Sequence, residues 1–402
     1  MQTEKNDKSD LERLRFRLCY IEIMQSSISK APKYRQIHDA LKESIVTGEY
    51  VTGARLPSES DLVSVFGASR LTVNRALREL QLNGFIERRA GSGSYVSTAP
   101  ASQGFAFGLL IPELGQTEIF EPICRGMAEA HLPEHHVLLW GKSPSGSEQA
   151  EKLADDWCKQ WTARRVSGVF FAPLEHTPQK DTVNGRIAEL FQKAGIPVIL
   201  MDRDLVNFPE RSSYDVVGID NRRAAYVLTS HLLSTGCKRI IFIGRLWSAP
   251  SCVARSFGYC DALRAAGAEF RENFVGHVEP SDAASIRRII EETQPDGIVC
   301  SNDYTAAHVM RVIESMGISV PEDVRLAGFD GVKYANLLRV PLTTIQQPCQ
   351  ELGVAAINAM VQRLLNPRLP ARDIVLDFKL VIRASSGGPE VRQDRLETAI
   401  HQ

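Results

Sequence analysis

Two groups of residues have the types and spacing to do chemistry. The first lies in ASRLTVNRALRELQLNGFIERRAGSGSYV, residues 68–96. Val73, Ala76, Leu77 and Leu80 form one apolar face at helical spacing, and Arg70, Asn74 and Arg75 fall off it near the start of that helix. An arginine can reach two acceptors of guanine, and an asparagine can do the same for adenine. Arg88 and Arg89 stand at the base of a hairpin whose tip, Gly91 and Gly93, can approach a backbone closely. Residues 67–96 hold five arginines against two glutamates, a local +3 in a chain whose net charge is −1. Taken singly these arginines read as a solvated helix face; the whole arrangement points to a nucleic acid. The second group follows apolar runs: Asp202 and Arg203 after VILM, Asn302 and Asp303 after GIVCS, and Asp330 after LAGF. Ligands of parallel α/β sheets bind beyond the carboxyl ends of strands. Carboxylates and an arginine placed there can bond the vicinal hydroxyls of a sugar. Each Asp alone also reads as a helix N-cap, Asp303 especially.

The elements that position the first group are short. YRQIHDALKESIVTGEY sets Ile37, Leu41 and Ile45 at helical spacing and ends at Gly48. Ser58, with Asp61 three residues on, predicts a capping box for a second helix. Ser69 can cap the third helix, and Asn83-Gly84 can end it. FIERRAGSGSYV reads as a hairpin around a Gly-Ser tip. Residues 1–30 form a polar leader, and STAPASQ with Gly104 a linker over 98–104.

The second group rides on a different rhythm. After residue 104, strand-length apolar runs recur: FAFGLLIP, VLLWG, GVFFAP, PVILMD, RIIFIG, GIVCSND and VRLAGFD. Amphipathic segments alternate with them at 187–194, 224–233, 285–292, 306–316 and 352–365. Continuous apolar strands alternating with helices predict α/β lobes with parallel sheets covered on both faces. About 280 residues, 105–385, suffice for two lobes, with a tail at 386–402.

Composition bounds the function. The 402 residues are 44% hydrophobic and 24% charged, as in a globular protein of two or three domains. No apolar run approaches a membrane span, and the mixed-charge N-terminus is no secretory signal. The eight cysteines show no metal or disulfide spacing and read as reduced thiols of a cytoplasmic protein. No G-x-S-x-G elbow, Walker loop or H-E-x-x-H occurs. No catalytic residue, metal or cofactor is therefore assigned. A sugar receptor without direct DNA regulation and an aminotransferase-type fusion are the alternatives; the winged head disfavours the first, and the second lacks a supporting lysine pattern.

Residues 32–96 resemble the GntR-type winged-helix domain nearly end to end. The motifs are L-P-S-E before the second helix, S-R-x-T-V-x-R-A-L-x-x-L as recognition helix and G-x-G-x-Y-V as wing. The resemblance implies that Arg70, Thr72 and Asn74 contact operator DNA, with Ser58, Glu59, Ser69, Arg75, Arg89, Gly91 and Gly93 as further candidates. Ser60 departs from the pattern, standing where relatives usually carry a DNA-contacting arginine. From about 105 to 383, VVGIDNRRAAYVLTSHLLSTGCKRIIFIG, RSFGYCDALRAAG, VPEDVRLAGFDG and PLTTIQQPCQELGVAAINAMVQRLL resemble the effector core of LacI/GalR-type repressors. That core is two-lobed and like periplasmic binding proteins, with three crossings between lobes and the ligand in the cleft. Carried over, Arg255 and Asp303 are the strongest effector contacts. Asp202, Asn302 and Gln347 face the cleft, with Arg203 beside them, and Phe120 lines the pocket. Asp330 reads either as a contact or as the group that holds its loop, and Trp247 as packing. The resemblance implies a winged helix-turn-helix at 31–97 on the two-lobed core. It further implies a cytoplasmic, homodimeric repressor that binds double-stranded operator DNA and a small polar effector, a sugar.

Overall fold

The structure, a computed structural model, describes residues 32–388 apart from 83, 90, 91, 98–103, 112–118, 131, 133–135 and 141–146. Gly91, Asn83, the leader, most of the linker and most of the tail lie outside the described residues. The chain divides into two compact units, one containing the N-terminal head and one containing two large sheets.

The head runs α1 (Lys33–Val46), α2 (Glu59–Phe66), α3 (Arg70–Leu82), β1 (Ile86–Arg89) and β2 (Gly93–Val96). Its core is the apolar periodicity made solid: Ile37, Leu41, Leu62, Val73, Ala76, Leu77 and Leu80 are wholly enclosed. The capping box is formed, with the Asp61 amide donating to Ser58 Oγ and the Ser58 amide donating to the Asp61 carboxylate. Gly67 closes α2 in the left-handed region that favours glycine. At the start of α3 the Thr72 amide donates to Ser69 Oγ at 3.2 Å. Strands β1 and β2 pair antiparallel, Arg89 opposite Gly93.

In the second unit the order is β3 (Phe105–Leu110), α4 (Phe120–Glu129), β4 (His136–Trp140), α5 (Ser147–Arg164), β5 (Gly168–Phe171), α6 (Lys180–Lys193), β6 (Val198–Met201) and β7 (Asp215–Ile219). It continues with α7 (Asn221–Ser234), β8 (Ile240–Gly244), α8 (Pro250–Ala266), β9 (Val275–His277), α9 (Ala283–Thr293), β10 (Gly297–Cys300) and α10 (Asp303–Ser315). The last elements are β11 (Arg325–Asp330), β12 (Thr343–Gln346), α11 (Cys349–Leu365), β13 (Asp373–Leu376) and β14 (Lys379–Val381). One six-stranded sheet has the order β13-β7-β6-β5-β3-β4, the other β14-β12-β11-β10-β8-β9. The described pairings are parallel except β12 with β14. The fold is thus α/β and two-lobed. The chain passes between the sheets three times: at Ile219–Asn221, at Gln346–Cys349 and at Leu376–Lys379.

All seven apolar runs are strands, and all five amphipathic segments are helices. Five further strands and three helices (α4, α5, α8) were not expected. Helix α8 carries little periodicity because its outer turn is also packed: a Cβ at Gly258 would lie 1.9 Å from the Arg222 carbonyl oxygen of α7. One expectation is corrected. The N-cap of α10 is Asn302, which accepts from the Thr305 amide at 2.9 Å; Asp303 is the first helical residue.

The α7–α8 contact yields a prediction. Gly258→Ala must push the two helices apart, and overpacking of this kind destabilises by roughly 1–3 kcal/mol. Urea unfolding of the variant should show a lower midpoint; an unchanged midpoint would mean that the helices tolerate a methyl there.

Candidate functional site

The start of α3 is open. Arg70 and Leu71 are exposed, Leu71 by 85%. The hydroxyls of Ser69 and Thr72 bond each other at 2.8 Å, so they shape the helix start. Arg75, expected to project outward, instead lies over the Tyr34 ring at 3.7 Å and meets Glu79 at 3.5 Å, because that ring on α1 offers a cation–π seat. Asn74 Oδ1 accepts from Arg88 at 2.9 Å, and Arg88 also pairs with Glu59. Arg89 sits 4.7 Å from the Tyr95 ring. Between α3 and the hairpin lies a recess of about 650 Å³, lined in part by Arg55, Ser58, Arg78, Arg89 and Gly93. Glu59 is the only carboxylate among the described residues lining it, and Arg88 pairs with it. Gly93 has φ +117°, and a Cβ there would stand 3.1 Å from Arg55 Nε. Arg55 went unnoticed in the sequence, since it sits in an aperiodic loop that only the fold brings against the wing.

The second site forms at the carboxyl ends of β5, β6, β10, β11 and β12. Asp202 and Arg203 follow β6; both are buried. Arg203 pairs with Glu175, four residues beyond β5, and with Asp202 Oδ2 at 3.3 Å. Phe120, at the start of α4, is enclosed behind Arg203, its ring 5.8 Å from the guanidinium. From the other lobe comes Arg255, 3% exposed. It donates to Asn221 Oδ1 at 2.8 Å and to the Ser301 carbonyl at 2.6 Å, and its Nη2 lies 3.7 Å from Asp330 Oδ1. Gln347 Nε2 donates to the same Asp330 oxygen at 2.9 Å. Asp202 Oδ1 and Gln347 Oε1 are buried without a hydrogen-bond partner. A cavity of about 590 Å³ opens against Asp330 and Gln347, reaching the second and third chain crossings through Cys349 and Asp377.

Asp303 takes the role that Asp330 alone was suspected of. Its buried carboxylate accepts from the Gly331 and Val332 amides at 2.9 and 3.1 Å and from Thr344 Oγ1 at 2.7 Å. It therefore holds the loop after β11. Gly328 has no side chain because a Cβ would stand 2.4 Å from Asp303 Oδ1. Asn302, occupied as a cap, is half-buried. Glu175 is the contact that sequence reading missed; its only signal was its place between GVFFAP and the next helix.

Electrostatics follow from the burial. Burial alone would raise the Glu175 carboxyl, but the Arg203 guanidinium and His176 outweigh it and hold it down to about 2. Burial lifts Asp330 above the usual carboxylate range despite Arg255. Burial, with Asp330 nearby, lifts Asp303 well above that range. Burial also pushes the Cys252 and Cys349 thiols up to about 12, which suits inert thiols. The lobes touch through the Glu175–His176 loop. The His176 amide donates to the Trp247 carbonyl at 2.8 Å, its Nδ1 donates to the Leu246 carbonyl at 3.2 Å, and the Ala249 amide donates to Glu175 Oε2 at 3.3 Å. His176, Asp202, Trp247 and Asp330 all have φ between +48° and +106°, so strained backbone gathers at this site.

Comparison with known proteins agrees with this division. Residues 33–96 match the family of bacterial regulatory proteins, gntR family, and residues 229–386 match the periplasmic binding protein-like domain. The chain joins a gntR-family head to a periplasmic-binding-protein-like body. The gntR-headed chain is 25% identical over 367 residues to the arabinose metabolism transcriptional repressor of Geobacillus stearothermophilus, covering 88% of this chain and 98% of that one. Its fold resembles the transcription regulator CcpA of Lactococcus lactis, with TM-score 0.61 at 21% identity, covering 70% and 99% of the two chains. It also resembles the transcriptional regulator CelR–cellobiose complex, with TM-score 0.60 at 22% identity, covering 85% and 94%. Among the described residues of the gntR-headed chain, no helix is long and apolar enough to cross a membrane.

The depressed Glu175 carboxyl makes a pH prediction. A carboxylate held below its unfolded value stabilises the fold above that value and ceases to do so as pH falls through the folded one. Glu175→Gln should lower stability by about 2 kcal/mol at pH 7. The gap from the parent should close between the ordinary carboxyl value of 4.5 and about 2. Thermal melts across that range check it; a gap independent of pH would mean that the pair does not hold the carboxylate ionised.

Proposed function

We propose that the chain is a ligand-responsive transcriptional repressor of carbohydrate-utilisation genes. It binds double-stranded operator DNA through the winged head and a small neutral sugar in the cleft between the lobes. The observation that carries the reading is the pair of buried oxygens, Asp202 Oδ1 and Gln347 Oε1, left without partners at the strand ends. Buried polar atoms normally find partners, and a ligand hydroxyl would supply them. The arginines nearby are already matched by carboxylates: Arg203 by Glu175 and Asp202, Arg255 by Asp330. A neutral, hydroxyl-rich ligand suits such a site better than an anion. The arabinose repressor named above supports the same class. In the head, exposed Arg70 and the arginine-lined recess supply the positive surface that phosphates require.

The protein acts as a homodimer in the cytoplasm, because one recognition helix reads only a half-site. It is a regulator rather than an enzyme. Effector binding shifts the lobes between two arrangements, and the shift is limited by the ligand's differential affinity, about 1–3 kcal/mol of coupling. Domain limits of 31–97 for the head and 105–385 for the core serve this division of labour.

Two variants test it. Arg70→Ala should weaken operator binding by roughly 1–3 kcal/mol in a gel-shift titration, leaving the effector response in place. Arg255→Ala should do the reverse: a thermal-shift screen of neutral sugars that stabilises the parent should no longer stabilise it. A saturating ligand at about 100 times its dissociation constant adds roughly 2.7 kcal/mol, well within that screen's reach. Parent-like sugar binding by Arg255→Ala would place the effector elsewhere, and unaltered DNA affinity of Arg70→Ala would remove α3 from the interface.

A further inference from the structure

Asn74 lies four residues after Arg70 on α3, so the two share one side of that helix. Its amide is held. Arg88 Nη1 donates to Asn74 Oδ1 at 2.9 Å, while Arg88 Nη2 is bonded to Glu59 Oε1 at 2.5 Å. Glu59 is the first residue of α2, directly behind its cap Ser58, and is therefore fixed by the capping box. A guanidinium has five donors and no acceptor. The amide atom that meets it must be the oxygen, which settles the orientation of the Asn74 side chain on chemical grounds. Its NH2 group is left to face outward.

An asparagine reads adenine by accepting from N6 and donating to N7, and so needs both ends of its amide. At Asn74 the accepting end is committed to Arg88. What remains is one NH2 with two hydrogens. Guanine presents two adjacent acceptors, N7 and O6, in the major groove; adenine presents one acceptor beside a donor. We infer that Arg88 acts as a positioning residue that turns Asn74 into a donor-only reader, so that the head selects guanine at the base Asn74 meets and disfavours adenine there. This rests on the DNA-binding reading above and reverses the adenine preference that asparagine alone suggests.

Selection of the full chain on a random-sequence duplex library tests it. The parent should enrich a half-site with a guanine whose preference disappears in Asn74→Ala, with guanine favoured over adenine by roughly tenfold. In Arg88→Met, which keeps the aliphatic stem and removes the donors, the amide is free to turn and the preference at that position should move toward adenine. Arg88→Lys, which restores a donor, should move it back toward guanine. Asn74→Asp keeps the partner for Arg88 and so the fold, but has no hydrogen to give; it should lose the guanine preference. Adenine at the Asn74-dependent position in the parent would overturn the inference. So would an Arg88→Met chain that weakens on every sequence alike with its base preference intact, since Arg88 would then be a phosphate contact. Guanine preference retained by Asn74→Asp would do so as well. A parent chain that enriches no duplex would overturn both this inference and the repressor reading, whereas the other failures leave the repressor reading standing.

Discussion

The Arg203 guanidinium, enclosed between the carboxylates of Glu175 and Asp202, is the contact on which the arrangement of the cleft depends. A buried charge without a partner is far costlier than any single contact here can offset, so the loops after β5 and β6 must stay where their carboxylates reach that cation. Asp202 accordingly accepts a left-handed backbone, with φ +67°, and its amide is tied to the Val217 carbonyl at 2.8 Å. Glu175 is held at the same distance from the sheet and can accept from the Ala249 amide of the opposite lobe. The geometry of one ion cluster thereby sets which backbone groups of the two lobes meet. Removing a member of such a cluster hurts more than the pair contributes net, because the remaining charge stays buried.

What joins the lobes at this edge is polar and sparse. The His176 amide and ring, the Ala249 amide and Ser251 Oγ make the contacts, the last reaching Asp202 Oδ2 at 3.4 Å. A few hydrogen bonds of about 1 kcal/mol net each are of the size that ligand binding can rearrange. The enclosed faces of each lobe are apolar by contrast. Strands β5, β6, β8 and β10 are buried along their whole length, so each lobe is rigid within itself. Rigid bodies with a weak polar seam and three chain crossings make a two-state element of the kind a small ligand can bias.

Much of this was legible in the residues. Strands buried on both faces need uninterrupted apolar side chains, so VILM and GIVC declared themselves, as did the helices facing one layer. Strand β12 hid because its buried positions, Thr343 and Thr344, are hydroxyls satisfied by Arg383, Ser386 and Asp303 rather than apolar groups. The edge strands β13 and β14 are short and partly exposed, and so lack a run. At the site, Asp202, Arg203, Arg255, Asp330 and Gln347 were found from their places after strands or within motifs. Asp303 was placed correctly but its task was not, since only the fold shows that the amides of residues 331 and 332 come to it. Glu175 and Arg55 depend on contacts across long stretches of chain, which no local pattern encodes. Arg75 looked free because the Tyr34 ring that captures it lies a helix away.

The head and the cleft use the same device. A group with two polar ends is immobilised through one of them, and the other is kept for recognition. Asp202 gives Oδ2 to Arg203 and Ser251 and keeps Oδ1; Gln347 gives its NH2 to Asp330 and keeps Oε1. Asn74 gives its oxygen to Arg88 and keeps its NH2. In each case a hydrogen bond inside the protein fixes the rotamer before the ligand arrives, so little side-chain freedom remains to be lost on binding. The same bond removes one of two possible hydrogen-bonding patterns. Discrimination comes from that removal: a partner that needs the committed end meets a group already bonded elsewhere, and leaves its own polar atom unpaired.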